Sequence, residues 1–295
     1  MANLFRSLVF VPGNNSRFLE KAKSLPADIV CFDLEDSVPK DQKGKARTMI
    51  SDALKQREEY SADVYVRTSA PAAPTFTNGL SSALRADLKS IVQMGLDGIV
   101  IPKVNTANEI KEIDEIISTL EAEQEPSDIH KKIHLVPSIE SALGVVNCYE
   151  IASSSERIVA LVFGIFDLLN DMGIEYTKGN PRGAKYSRYK VPVAATAAGV
   201  VAIDGIWQDL EDDNGFTKDC EVGRSLGYVG KSVIHPDQIE TVHEIFHPSG
   251  PEIEWAKKVC EVYEATTKAG LGATVIEGKM IDEVHYKRAK ALLEI

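Results

Sequence analysis

Apolar and polar positions along this chain fall into a repeating unit: a short run rich in β-branched residues, a polar or Gly/Pro turn, then a longer stretch with helical apolar spacing. Eight such runs occur, at residues 7–11, 29–32, 64–66, 98–101, 133–136, 158–163, 200–203 and 229–234. They recur roughly every 32 residues, the length of a strand and helix that return right-handedly onto a parallel neighbour. Eight units within ~250 residues predict an α/β fold of the closed (β/α)8 type, because an open doubly wound sheet carries fewer strands and opens on a Gly-rich turn. The segment after the first run, Val11-Pro-Gly-Asn-Asn, is not G-x-G-x-x-G, which makes a nucleotide crevice the weaker expectation.

Past the eighth run the pattern changes to a helix over 252–268, a Gly-rich link at 269–273 and a further segment over 275–293. The expected division is a catalytic barrel over residues 1–250 and a helical extension over 251–295. That extension would pack on the barrel, sit on a neighbouring subunit, or swing as a flap. Residues 170–188, polar and punctuated by Gly and Pro, read as a long loop after the sixth strand and a candidate lid.

Composition narrows the function classes. With 295 residues, 44% hydrophobic and 26% charged, the chain is neither disordered nor a small disulfide scaffold. A net charge of −11 argues against general nucleic-acid binding, which needs a basic face. No apolar run has the length of a membrane span or signal peptide, so the expectation is a cytoplasmic protein, with the mitochondrial matrix as the other reducing compartment. The scattered Cys31, Cys148, Cys220 and Cys260 lack metal-ligand spacing and read as reduced thiols.

In a barrel of this kind chemistry gathers where strands end. The residues closing the runs are Asp33, Glu35 and Asp36, then Arg67, Lys103, Glu140, Asp167, Asp204 and His235, a ring of charge on one rim. Glu140 and Asp167 follow strands five and six, which are neighbours, and a hard divalent ion such as magnesium takes one or two carboxylates. The competing reading makes each acid a helix cap. Arg67 offers a planar fork to a carboxylate or an enolate; it would otherwise be a salt-bridge partner of Asp33, Glu35 or Asp36. Three acids in four positions need cations, for which Arg6, Arg67 and Lys103 are the candidates. Strand alternation sends Asp33 and Glu35 one way and Asp36 the other. The basic set Lys40, Lys43, Lys45 and Arg47 would meet coenzyme phosphates or form a solvated helix face. His235 is either a catalytic histidine or a buried one bonded to backbone.

These segments, in this order, resemble the citrate lyase β-subunit family of acyl-CoA lyases. The resemblance rests on Arg6-Ser-Leu-Val-Phe-Val-Pro-Gly-Asn, Phe32-Asp-Leu-Glu-Asp-Ser-Val, Lys43-Gly-Lys-Ala-Arg, Ile139-Glu-Ser-Ala-Leu-Gly-Val-Val-Asn, Phe163-Gly-Ile-Phe-Asp-Leu, Gly227-Tyr-Val-Gly-Lys-Ser-Val-Ile-His-Pro and Gly278-Lys-Met-Ile-Asp. It implies Mg2+, with Mn2+ as an alternative, held by Glu140 and Asp167, and a catalytic set of Arg67, Asp282, Glu35 and Asp36. Arg67 would also bind substrate, together with Lys103, Arg6, Asp33, Lys43 and Arg47. Asp282 is similar to a tail aspartate that a neighbouring subunit contributes. The implied reaction is retro-Claisen or aldol cleavage, or formation, of a 3-hydroxyacyl thioester such as citramalyl-, malyl- or citryl-CoA. The implied assembly is a homotrimer or hexamer taking small acyl-CoA or hydroxy-acid ligands. The alternatives are a free-acid aldolase for a 2-oxo acid such as pyruvate, a subunit acting on an acyl-carrier-protein thioester within a complex, and a non-catalytic scaffold. One departure bears on substrate choice: Thr68 and Ser69 follow Arg67 where relatives usually carry an aliphatic residue and Asn.

Overall fold

A computed structural model describes residues 5–71, 79–124, 132–176 and 182–294. Eight parallel strands close into a barrel in sequential order: β1 (Ser7–Pro12), β2 (Ile29–Asp33), β3 (Asp63–Arg67), β4 (Gly98–Ile101), β5 (His134–Ile139), β6 (Ala160–Phe163), β7 (Val201–Asp204) and β8 (Gly230–Val233). The β-branched content of these runs, buried on both faces, is what a helix-covered parallel sheet requires. Register fixes which residues face inward: Leu8 lies level with Ile29 and Ser232, Cys31 with Tyr65, Asp33 with Arg67, and Val162 with Ile203. The lumen is therefore filled by Leu8, Ile29, Cys31, Tyr65, Val100, Val136, Ala160, Val162 and Ile203. Above them the inward positions turn polar. The fifth run was expected to stop at Val136, before a proline, but β5 continues through Pro137, which lies level with Ile101. That extension carries Ser138 inward and delivers Glu140 to the rim.

The outward faces of β7 and β8 carry a buried ionic cluster. Asp204 accepts from Arg188 Nε at 3.1 Å and Lys231 Nζ at 3.0 Å, and Asp219 from Arg188 Nη1 at 2.7 Å and Lys231 Nζ at 2.6 Å. Two acids thus match two bases, the balance that makes buried charge tolerable. Arg188 belongs to the helix Lys185–Ala197, and the helix Ile165–Asp171 runs into the other end of the expected lid. The stretch 170–188 is accordingly shorter as a loop than its composition indicated; residues 177–181 lie outside the described residues.

The chain divides into two compact units, Phe5–His243 and the part from Glu244 onward. The second begins with the helix Gly250–Lys268, started by a reciprocal Ser249/Glu252 capping box. The segment 275–293, expected only as part of a helical extension, forms a hairpin and a helix: β9 (Ala273–Ile276), β10 (Lys279–Asp282) and Glu283–Leu293. Glu277 and Gly278 both have positive φ (51° and 77°), as a two-residue type I′ turn requires. Ile276 and Ile281 pack with Ala256, Val259 and Ala289, while the cross-strand pair Val275 and Met280 is exposed. No helix among the described residues is long and apolar enough to cross a membrane.

Candidate active site

At the C-terminal rim the ends of β2, β3, β4, β5 and β6 bring seven charged side chains together. Arg67 grips Asp33 through two parallel bonds, Nε to Oδ1 at 2.7 Å and Nη2 to Oδ2 at 2.8 Å. Its guanidinium lies 4.5 Å over the Phe10 ring, and Nη1 stands 3.3 Å from Glu35 Oε2 in ion-pair range without hydrogen-bond geometry. Asp33 also accepts from Ser37 Oγ and from the main-chain N–H groups of Glu35 and Ser37. With its acceptors committed inside the protein, Asp33 orients Arg67, which corrects its expected place among the substrate-binding residues.

Lys103 occupies the middle of the acids. Its ammonium lies 2.9 Å from Glu35, 3.3 Å from Asp36 and 3.3 Å from Asp167. Its backbone has φ of +52°, a conformation rare outside glycine, and this turns its N–H onto Glu140 Oε1 at 2.5 Å. Neither helix-cap reading holds. Ser141 caps the helix after Glu140, and Asp167 lies inside the first turn of a helix whose N-cap is Gly164.

Five carboxylates (Asp33, Glu35, Asp36, Glu140 and Asp167) thus face two cations, Arg67 and Lys103. Burial, reinforced by Glu35 and Asp167, pushes Glu140 up to about 8, and burial outweighs Arg67 and Lys103 to push Glu35 up to about 7. Burial opposes the charge on Arg67 and on Lys103, yet the surrounding acids hold both above their usual range. The surplus of negative charge fits a bound cation. Among the described residues no group of three or more His, Cys, Asp or Glu is arranged to hold a metal. A pair of carboxylates completed by water and substrate oxygens is the arrangement magnesium accepts. Glu140, packed against Gly164, and Asp167, on the helix that Gly164 caps, fit that description.

These groups open on a cavity of about 540 Å³ lined by Phe10, Arg67, Glu140, Asp167, Val162, Ser138 and Ser232, among others. The two serines were missed in the sequence. Both occupy inward positions of their strands, which strand alternation suggests but only the register settles.

Several expected residues lie elsewhere. Arg6 is at the opposite, N-terminal end of the barrel, in a two-pronged pair with Asp28 (2.9 and 2.7 Å), and takes no part in the rim. Arg47 is bound to buried Asp87, which also accepts the Ser69 N–H. Through Asp87 it braces the segment after β3. Lys43 reaches Ser69 Oγ at 3.2 Å, at the edge of the rim, while Lys40 and Lys45 are exposed. Asp204 points outward into the ionic cluster. His235 is exposed and near Asp237, which removes the buried alternative. Asp282 lies on the hairpin of the second unit, where it caps Glu283–Leu293 by accepting from Val284 N and His285 N.

Known proteins resemble this chain in sequence and in fold. The model of the HpcH/HpaI aldolase/citrate lyase family covers residues 6–236. The chain belongs to that family. It is 34% identical to citrate lyase subunit beta of Leuconostoc mesenteroides subsp. cremoris, over 99% of this chain and 93% of that one. It is 31% identical to a (3S)-malyl-CoA thioesterase of Cereibacter sphaeroides strain KD131, over 99% and 94%. Protein CitE from Mycobacterium tuberculosis, solved with magnesium, acetoacetate and coenzyme A, superposes with a TM-score of 0.75 at 25% identity, covering 99% of this chain and 98% of that one. As a family member the chain is an enzyme of the lyase type.

Proposed function

We propose that this enzyme is a magnesium-dependent carbon–carbon lyase that cleaves or forms a 3-hydroxyacyl thioester of coenzyme A. The observation that carries the reading is the surplus of carboxylates around Glu140 and Asp167, set beside an arginine held rigidly by Asp33. Glu140 and Asp167 would hold magnesium, or manganese in its place, which when bound would supply Lewis-acid polarisation of the substrate's hydroxyl and carboxylate. Arg67 faces the oxygen that becomes negative as the C–C bond breaks and its electron pair passes into the thioester enolate. A bidentate grip and an aromatic face fix the guanidinium before the charge develops, so the gain falls on the transition state. Glu35 and Asp36 hold the Lys103 ammonium beside Asp167. Asp282, presented by the C-terminal unit of a neighbouring copy in a trimer or hexamer, exchanges the proton with the thioester α-carbon.

Lys40, Lys43 and Lys45 flank the start of the helix Lys43–Leu54 and suit the coenzyme's phosphates; Arg47, committed to Asp87, does not. Support also comes from the relatives named for citrate lyase and malyl-CoA chemistry. Hydrolysis of the thioester is a second reading, favoured by the thioesterase relative. The deciding experiment incubates the enzyme with magnesium and citramalyl-, malyl-, methylmalyl- or citryl-CoA. Release of acetyl- or propionyl-CoA is expected from one of them. Free CoA alone would identify a thioesterase, and inactivity on all four with cleavage of a free 2-oxo-acid adduct would identify an aldolase.

A further inference from the structure

Four buried side-chain polar atoms among the described residues have no hydrogen-bond partner: Glu35 Oε2, Thr68 Oγ1, Trp207 Nε1 and Ser232 Oγ. Only Ser232 both carries such an atom and lines the rim cavity. Its place is fixed by register: Ser232 is level with Leu8, an inward residue, so its side chain enters the lumen from β8. It is 1% exposed. The cavity that it borders also holds Arg67, Ser138 and Glu140.

A buried hydroxyl without a partner costs stability, and alanine at the same place would avoid that cost at almost the same volume. Ligand contact is what gives such a hydroxyl a use. The neighbours define the ligand: the cation Arg67, the acids Glu140 and Asp167 suited to a hard ion, and the apolar side chains Phe10 and Val162 all line the same cavity. A small acid with an oxygen-rich end fits this lining.

We propose that Ser232 is a substrate-recognition residue, donating its O–H to a carboxylate or carbonyl oxygen of the small-acid portion of the substrate. This assignment rests on the rim cavity being the substrate site of the proposed lyase. The hydroxyl gains its first partner when the ligand arrives, so its contribution appears wholly as affinity and none of it as fold stability.

The test uses the full chain with magnesium and oxaloacetate, a four-carbon 2-oxo dicarboxylate, in titration calorimetry, together with thermal melts of the ligand-free protein. Ser232→Ala is expected to bind oxaloacetate about tenfold more weakly than wild type, as loss of one hydrogen bond to a charged acceptor implies. Its ligand-free melting temperature should equal or exceed that of wild type. Equal affinity in the two proteins overturns the inference alone. A lower melting temperature in the variant also overturns it, because the hydroxyl would then be serving the fold. The same titration is run with pyruvate and with glyoxylate; if wild type binds none of the three 2-oxo acids, the proposed lyase function fails, and the role of Ser232 falls with it.

Discussion

Glu140 lies against Gly164 so closely that a β-carbon on the glycine would overlap the glutamate's own β-carbon and carboxylate. The glycine follows β6 and caps the helix that bears Asp167, so its missing side chain leaves room for Glu140 beside that helix. Gly164→Ala should fold with an unchanged circular dichroism spectrum yet displace Glu140. Misplacing a reacting group by an ångström costs on the order of a hundredfold in rate. The variant should also lose the rise in melting temperature that magnesium gives the wild type.

Removing the charge while keeping the shape gives a sharper contrast. Glu140→Gln takes away one of five carboxylates facing two cations and leaves an amide that can still accept the Lys103 N–H. Without metal, the variant should melt at the same temperature as wild type or higher. With magnesium, wild type should gain stability and the variant should gain none. A magnesium-induced shift of equal size in both proteins would remove Glu140 from the ligand set.

The Asp33–Arg67 pair makes a prediction about stability. Asp33 is 1% exposed, and it is held below its usual range because Arg67, Ser37 and the Glu35 N–H together outweigh burial. Breaking a buried pair by neutralising one partner costs about 3–5 kcal/mol, since the other charge stays behind. Asp33→Asn should lose roughly that amount in urea unfolding. Arg67→Lys keeps the charge but cannot form two parallel bonds. It should therefore lower turnover more than it lowers substrate affinity.

Acid stability should depend on Asp219. Burial pushes its carboxyl up, but Lys231 and Arg188 pull it below the ordinary range by a larger combined effect. A carboxylate depressed in the folded state stabilises above its unfolded pKa, and that contribution disappears as pH falls through the folded value. Unfolding free energy should consequently fall with decreasing pH below about 4. Asp219→Asn should be less stable near neutrality and show a flatter acid limb. Identical slopes in the two proteins would place the acid sensitivity in another group.

How much of this was legible in the sequence follows from the physics of each feature. The barrel was visible because eight β-branched runs at near-constant spacing admit few topologies, and Arg67, Lys103, Glu140 and Asp167 were visible because each closes such a run. Arg6 misled because it sits beside a strand just as they do. It lies before β1 and so at the wrong end, where Asp28 meets it. Arg47 misled because a basic helix face looks alike whether it meets solvent or a buried acid such as Asp87. Ser232 was invisible because an inward hydroxyl stands out only once register shows its neighbours. The hairpin of β9 and β10 was hidden by a run short enough to suit a helix, although Glu277-Gly278 was its turn signal.

Asp282 is a helix cap and, in the proposed function, the proton-exchange residue, and one substitution separates the two roles. In this chain its carboxylate caps the helix Glu283–Leu293, and His285 Nδ1 lies 2.6 Å away, which holds the acid below its ordinary range. Asparagine caps a helix about as well as aspartate, so Asp282→Asn should leave unfolding free energy within about 0.5 kcal/mol of wild type. Magnesium binding, assigned to the barrel rim, should be unchanged. Proton exchange at the thioester α-carbon needs an ionisable group, which the amide is not, so C–C cleavage and the exchange of acetyl-CoA methyl protons with deuterated water should both collapse. Alanine adds a control, because it should reproduce that loss and also destabilise the hairpin unit by about 1 kcal/mol. If Asp282→Asn cleaved at the wild-type rate, the aspartate would be a helix cap and nothing more, and the proton would have to come from a group on the barrel itself.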